Sequence, residues 1–199
     1  MNFEKHINII TGKLVRQSGI LYRLRETLNV KQLVQFIRSY ISPIIQYGVL
    51  LYGLGPKTRL QKILLLQKKL IRIALRLPPW ISVMAKFKEL KIGTVFEYHI
   101  YEIFKYSLDQ IRNGFKNLNI GAHTRQTRNR NQNIWNSAGK NDRLDSRAII
   151  LMNALRKWGV LPSDKVICEM DEKQFHKFYH QISDLYIFGN GELIDLIFK

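Results

Sequence analysis

Ile7, Ile10, Leu14, Leu21, Leu24 and Leu28 recur at spacings of three, four and seven. That interval puts them on one stripe of a helix, not on alternate faces of a strand. The spacing predicts a long amphipathic helix over Phe3 to Leu28, with Lys13, Arg16 and Arg23 on the side away from the stripe. A second helix is expected from about Lys31, carrying Leu33, Phe36, Ile37, Tyr40 and Ile41. It is the buried one, and Pro43 either kinks or restarts it. Gly48, Gly53, Gly55 and Pro56 close it off. Tyr47-Gly48 and Tyr52-Gly53 read as points of close helix packing.

A third helix is expected over Thr58 to Leu77, with Thr58 as N-cap and Leu60, Leu64, Ile71 and Ala74 as its core stripe. Lys62, Lys69 and Arg76 stand seven apart, with Arg72 beside them, and form a basic ridge facing away from that core. Pro78 and Pro79 stop this helix. A short helical piece over Ser82 to Leu90 and a helix over Val95 to Asn113, with Phe96, Ile100, Ile103, Phe104 and Leu108 apolar, follow. Between Gly114 and Asp142 polar residues dominate, which reads as an irregular loop. Helical spacing returns at Ser146 to Trp158, breaks at Leu161-Pro162-Ser163, resumes behind an Asp171 cap to Leu185, and ends in a short piece from Glu192 to Phe198. The expected fold is mainly α, with no alternating strand pattern and no repeat. It divides into a helical bundle over 1–114, a basic polar linker over 115–142 and a small C-terminal helical region over 143–199.

Charge is distributed unevenly over this frame. The 199 residues hold 32 Lys+Arg against 15 Asp+Glu, a net of +17. Through Lys88 there are sixteen Lys/Arg and only Glu4 and Glu26, a net of +14; the remainder carries a net of +3. A one-signed surface repels itself unless a polyanion lies against it, so nucleic acid or an anionic membrane surface is the expected partner. The lone Cys168 excludes an internal disulfide and a cysteine-rich zinc site, and fits a reducing compartment. Met1 to Thr11 lacks the arrangement of a secretory signal. The longest apolar stretch, Pro43 to Gly55, is shorter than the roughly twenty residues a membrane span needs. An intracellular protein, nuclear or cytoplasmic and without membrane association, is the expectation.

The candidate nucleic-acid-binding residues are therefore Lys13, Arg16, Arg23, Lys62, Lys69, Arg72 and Arg76. To these the linker adds Arg125, Arg128 and Arg130, interleaved with asparagines as in a flexible RNA-binding arm. Each has a bland counterpart in an ordinary solvated helix face or a soluble linker. His176 and His180 lie one helical turn apart, but two ligands do not make a metal site. Cys168 has no evident partner base. No motif for nucleophilic catalysis or for a phosphate-cradling glycine loop is present.

Several segments also carry a resemblance. ITGKLVRQSGILYRLRETL, ending at Leu28, is followed by YISPIIQYGVLLYG from Tyr40 to Gly53, LQKKLIRIAL from Leu66 to Leu75, and FKELKI from Phe87 to Ile92. Thr124-Arg125-Gln126, Arg147 to Pro162 and Phe175 to Tyr179 continue the order. In order and spacing the chain resembles the C-terminal third of reverse transcriptases from non-LTR retrotransposons, the LINE or jockey-like class. It departs from their pattern at Tyr52, where tryptophan is usual, and at Trp158-Gly159, where tryptophan-asparagine is usual. The resemblance implies a thumb-like helical bundle that grips a template–primer duplex by its backbone. It further implies a fragment of an RNA-directed DNA polymerase whose fingers, palm and endonuclease are not in this sequence. The palm's paired aspartates, which hold Mg²⁺, have no counterpart, since no Asp-Asp pair occurs. By this view the chain alone is inactive, holds no metal or cofactor, and has RNA or DNA and a palm-containing polypeptide as partners. The alternative is an independent nucleic-acid-binding or protein-interaction module of host origin.

Overall fold

The computed structural model describes residues 4–119, 143–187 and 190–198, and over them the fold is mainly α, with no strand among the described residues. The chain forms two compact units: Met1–His99 with Phe198, and Ile100–Ile197 with Lys199. The division falls inside one helix, at His99, and not at the polar stretch that begins near Gly114.

In the first unit, α1 (Glu4–Leu24) buries Ile7, Ile10, Leu14 and Leu21, as its spacing requires. Burying each such side chain contributes about 1.5–3 kcal/mol. The helix ends at Leu24, short of Leu28. Leu24 and Leu28 are half-buried, and the stripe also takes in Ser18, whose hydroxyl donates to the Val15 carbonyl at 2.7 Å. Next come α2 (Val30–Phe36), a π-helical turn over Ile37–Ile41, and α3 (Ser42–Gln46), all helical without a break. Asn29 starts α2 with a capping box to Gln32. The π turn explains how the chain passes Pro43. Proline has no N–H and crowds the carbonyl four residues back, and the widened turn, closed by Ser42 N–H on the Ile37 carbonyl, relieves both. Tyr40 departs from the expected apolar face and is exposed.

Helix α4 (Val49–Tyr52) follows Gly48. Tyr47 is exposed, its ring 6.1 Å from that of His6 on α1, whereas Tyr52 is fully buried, with its hydroxyl on the Ile45 carbonyl. Gly53 is a true close approach: a Cβ there would lie 2.1 Å from Nδ1 of His99 and 2.4 Å from the Val49 carbonyl oxygen. Helix α5 (Lys57–Leu75) begins behind Pro56, so Thr58 lies inside the first turn and caps nothing. Its core face holds Leu60, Ile63, Gln67, Leu70, Ile71 and Ala74. After α6 (Met84–Glu89), helix α7 starts at Val95 and runs to Asn119, so 114–119 is helical instead of looped. A lone Gly114 costs only about 1 kcal/mol in a helix, too little to end one. The start of α7 is a capping box absent from the expectations above: Glu97 N–H donates to Thr94 Oγ1 at 3.2 Å, and Thr94 N–H to the Glu97 carboxylate at 2.6 Å.

The second unit comprises α7 from Ile100 onward, α8 (Arg143–Lys157), α9 (Asp164–Glu169), α10 (Glu172–Ile182), a π-helical turn (Ser183–Ile187) and α11 (Gly191–Ile197). Tyr179 stacks on Phe104 with centroids 5.8 Å apart and meets Tyr101 at 4.9 Å; Arg112 lies over the Phe175 ring at 5.0 Å. Asp171 caps α10 with a capping box to Gln174. The break at Leu161-Pro162-Ser163 holds, but it leads into α9, a helix the spacing did not reveal. Asp164 there pairs with Arg156 across the turn. Ile150 and Trp158, expected on the core face of α8, are each 39% exposed.

Candidate nucleic-acid interface

An ion pair at one end and a guanidinium at the other fix how α1 and α5 lie. Near their starts, Arg59 pairs with Glu4 at 3.4 Å; at their ends, Arg76 donates to the Arg25 carbonyl at 2.7 Å and the Leu28 carbonyl at 3.4 Å. The two helices therefore run parallel, packed along their apolar stripes. Their outward faces carry the basic residues. Lys13, Arg16 and Arg23 on α1 and Lys62 and Lys69 on α5 are all exposed. None has an ion-pair or hydrogen-bond partner among the described residues. Seven residues of helix advance about 10 Å, so Arg16 to Arg23 and Lys62 to Lys69 are cation steps of that length along parallel axes. Fixed charges repeated at such intervals suit a polyanion backbone and read no sequence.

Arg72 and Arg76 belong to the same heptad pattern but do different work. Half-buried Arg72 donates Nε to the Ile81 carbonyl at 3.0 Å, fastening the loop that follows α5. Arg76 ends α5 in the left-handed conformation, φ 56°, where glycine is usual, and Leu77 N–H closes on the Arg72 carbonyl at 2.9 Å. Its guanidinium holds the turn after α1. Of the four cations in the expected ridge, Arg72 and Arg76 thus bond backbone carbonyls, while Lys62 and Lys69 have no partner among the described residues. The same device recurs at Lys91, φ 49°, where Ile92 N–H reaches the Phe87 carbonyl at 2.9 Å and Arg38 grips the Leu90 carbonyl. Gly159, φ 69°, ends α8 likewise, with Val160 N–H on the Leu155 carbonyl at 3.0 Å.

Arg125, Arg128 and Arg130 lie outside the described residues. Sequence reasoning also passed over apolar residues set among the cations. Ile9 is 55% exposed, Leu65 63%, and Trp80, in the loop after α5, 83%. The signal for Leu65 was available, since it sits three residues after Lys62 and four before Lys69, off the core stripe.

Other chemistry finds no support. His176 and His180 are exposed, with ring centroids 6.5 Å apart, and no group of three metal-ligating side chains occurs among the described residues. Burial, then the Asp164 and Glu169 carboxylates, push the Cys168 thiol above its ordinary range, the reverse of what a nucleophile needs. No helix among the described residues is long and apolar enough to cross a membrane. Comparison with protein-family models, curated proteins and solved structures finds no match to this chain.

Proposed function

We propose that this chain is a thumb-like part of a retrotransposon RNA-directed DNA polymerase that grips RNA or DNA by its backbone and carries no catalytic centre of its own. The observation that carries it is the parallel α1–α5 pair, whose outward faces hold Lys13, Arg16, Arg23, Lys62 and Lys69 exposed and without a partner among the described residues. The concentration of charge in the first 88 residues supports the same view, as do the segments that resemble non-LTR reverse transcriptases. Any Mg²⁺ of the reaction would be held by a palm, not by these residues.

Titrating a labelled primer–template duplex with the chain across a salt series tests it. Affinity should fall linearly in log–log terms, with a slope of about −0.9 per phosphate neutralised. Affinity at low salt no better than that of a neutral helical protein ends this view. Primer extension with Mg²⁺ or Mn²⁺ should yield no product, and synthesis by clean protein would overturn the claim of inactivity. A protein-interaction module is favoured instead by Ile9 and Leu65 on the same faces, and it predicts a partner that stays bound at high salt.

A further inference from the structure

Trp80 is 83% exposed, the most open of the large apolar side chains among the described residues, and no ring or cation contact involves it there. Its backbone, by contrast, is held firmly. Pro78 and Pro79 fix two φ angles, Ile81 N–H closes the turn on the Pro78 carbonyl at 3.3 Å, and Arg72 grips the Ile81 carbonyl at 3.0 Å. The turn therefore presents a bare indole at low cost in ordering. Ile81 and Met84 beside it are also exposed. The charged residues from Arg72 to Lys91 are Arg72, Arg76, Lys86, Lys88, Lys91 and one acid, Glu89, which Lys86 already pairs at 2.6 Å.

We infer that Trp80 is a stacking platform for an unpaired nucleobase of a bound nucleic acid, such as the overhanging strand of a primer–template. This deepens the proposed function and rests on it. An exposed aromatic plane in a segment with a net positive charge meets both parts of a single strand, since its bases offer π faces and its phosphates take the charge. In an intact duplex the base faces are already stacked on one another, so the indole has a partner only where bases are unpaired. Arg72 acts here as a positioning residue that holds the turn.

The test uses the full chain with Trp135→Phe and Trp158→Phe, so that emission reports Trp80 alone. It compares an oligothymidylate single strand with a blunt duplex of equal length. Stacking predicts quenching by the single strand, about tenfold weaker single-strand binding in Trp80→Ala, near-complete rescue in Trp80→Phe, and unchanged duplex binding. Unchanged single-strand affinity in Trp80→Ala, or an equal loss on both nucleic acids, overturns the inference and leaves the backbone-gripping view standing. Failure of the parent chain to bind either nucleic acid overturns both. Binding of vesicles with anionic headgroups that depends on Trp80, with single-strand affinity indifferent to it, assigns the turn to a membrane surface and overturns the inference.

Discussion

The side-chain amide of Gln67, buried in the middle of α5, donates to the carbonyl of Gly93 at 3.0 Å; its oxygen accepts the Val95 N–H at 2.9 Å. One glutamine thus satisfies a donor and an acceptor at the entry to α7, where every residue from Ile92 to Ile100 is buried. The role of Gln67 is therefore architectural.

Gln67→Leu should lower unfolding free energy by about 2–4 kcal/mol, because two buried backbone groups lose their partners at once. Gln67→Glu keeps the acceptor for Val95 but sets a carboxylate against the Gly93 carbonyl, so it should not rescue. Urea denaturation at neutral pH checks both, and a loss under 1 kcal/mol in Gln67→Leu would mean that the turn finds other partners.

Gly53→Ala should be more damaging than its size suggests. The added methyl would stand 2.1 Å from the His99 ring and 2.4 Å from the Val49 carbonyl, and backbone cannot yield as a flexible side-chain tip can. A loss of about 3 kcal/mol is expected in the same denaturation measurement. An unaffected midpoint would show that His99 swings clear.

Arg76 combines a strained backbone with useful hydrogen bonds, and two substitutions separate them. Arg76→Ala loses the bonds to the Arg25 and Leu28 carbonyls and keeps the left-handed conformation; Arg76→Gly loses the same bonds but removes the strain. Arg76→Gly should therefore be more stable than Arg76→Ala by about 1 kcal/mol. Equal stability would mean that α5 ends differently once the guanidinium is gone.

The free and the tethered cations should also differ in binding. Lys62→Glu with Lys69→Glu should reduce the salt slope for duplex by about 2 while leaving the thermal midpoint nearly unchanged. Arg72→Ala should instead lower the midpoint, since the loop after α5 loses its anchor. A salt slope indifferent to the lysine pair would move phosphate contact elsewhere.

Burial pushes the Tyr52 hydroxyl well above the ordinary tyrosine range. The sign follows from proton counting. Below about pH 10 both folded and unfolded states keep the proton; above it only the unfolded state releases it. Tyr52 therefore contributes stability that is intact below pH 10 and lost as pH rises beyond. Tyr52→Phe should be less stable at neutral pH, with the Ile45 carbonyl unpaired, yet should lose less between pH 10 and 11 than the parent. Parallel stability curves for the two proteins over that interval would refute the assignment.

The helices were legible where their logic is local. A repeat of 3.6 residues is written into the chain itself, so Ile7, Ile10, Leu14 and Leu21, or Leu60 and Ile71, announce their face without any partner. Polar residues on that face were not legible. Nothing in the spacing of apolar residues marks Ser18 or Gln67 as buried, and the partners of Gln67 lie more than twenty residues away. The π turn before Pro43 was ambiguous for a similar reason. The proline suggests a kink or a restart, and neither reading foresees a widened turn.

What the sequence by itself determined is a helical chain whose first 88 residues hold nearly all of the excess positive charge, because periodicity and charge are properties of residues in order. What only the tertiary structure decided is which cations bond the protein's own carbonyls. Lys62, Lys69, Arg72 and Arg76 share one pattern along α5, yet of these only the lysines lack a partner among the described residues. The carbonyls that claim Arg76 belong to Arg25 and Leu28, about fifty residues earlier, and they come within reach because α1 and α5 pack parallel. A guanidinium's partner is set by the path of the folded backbone, and no local spacing encodes that path.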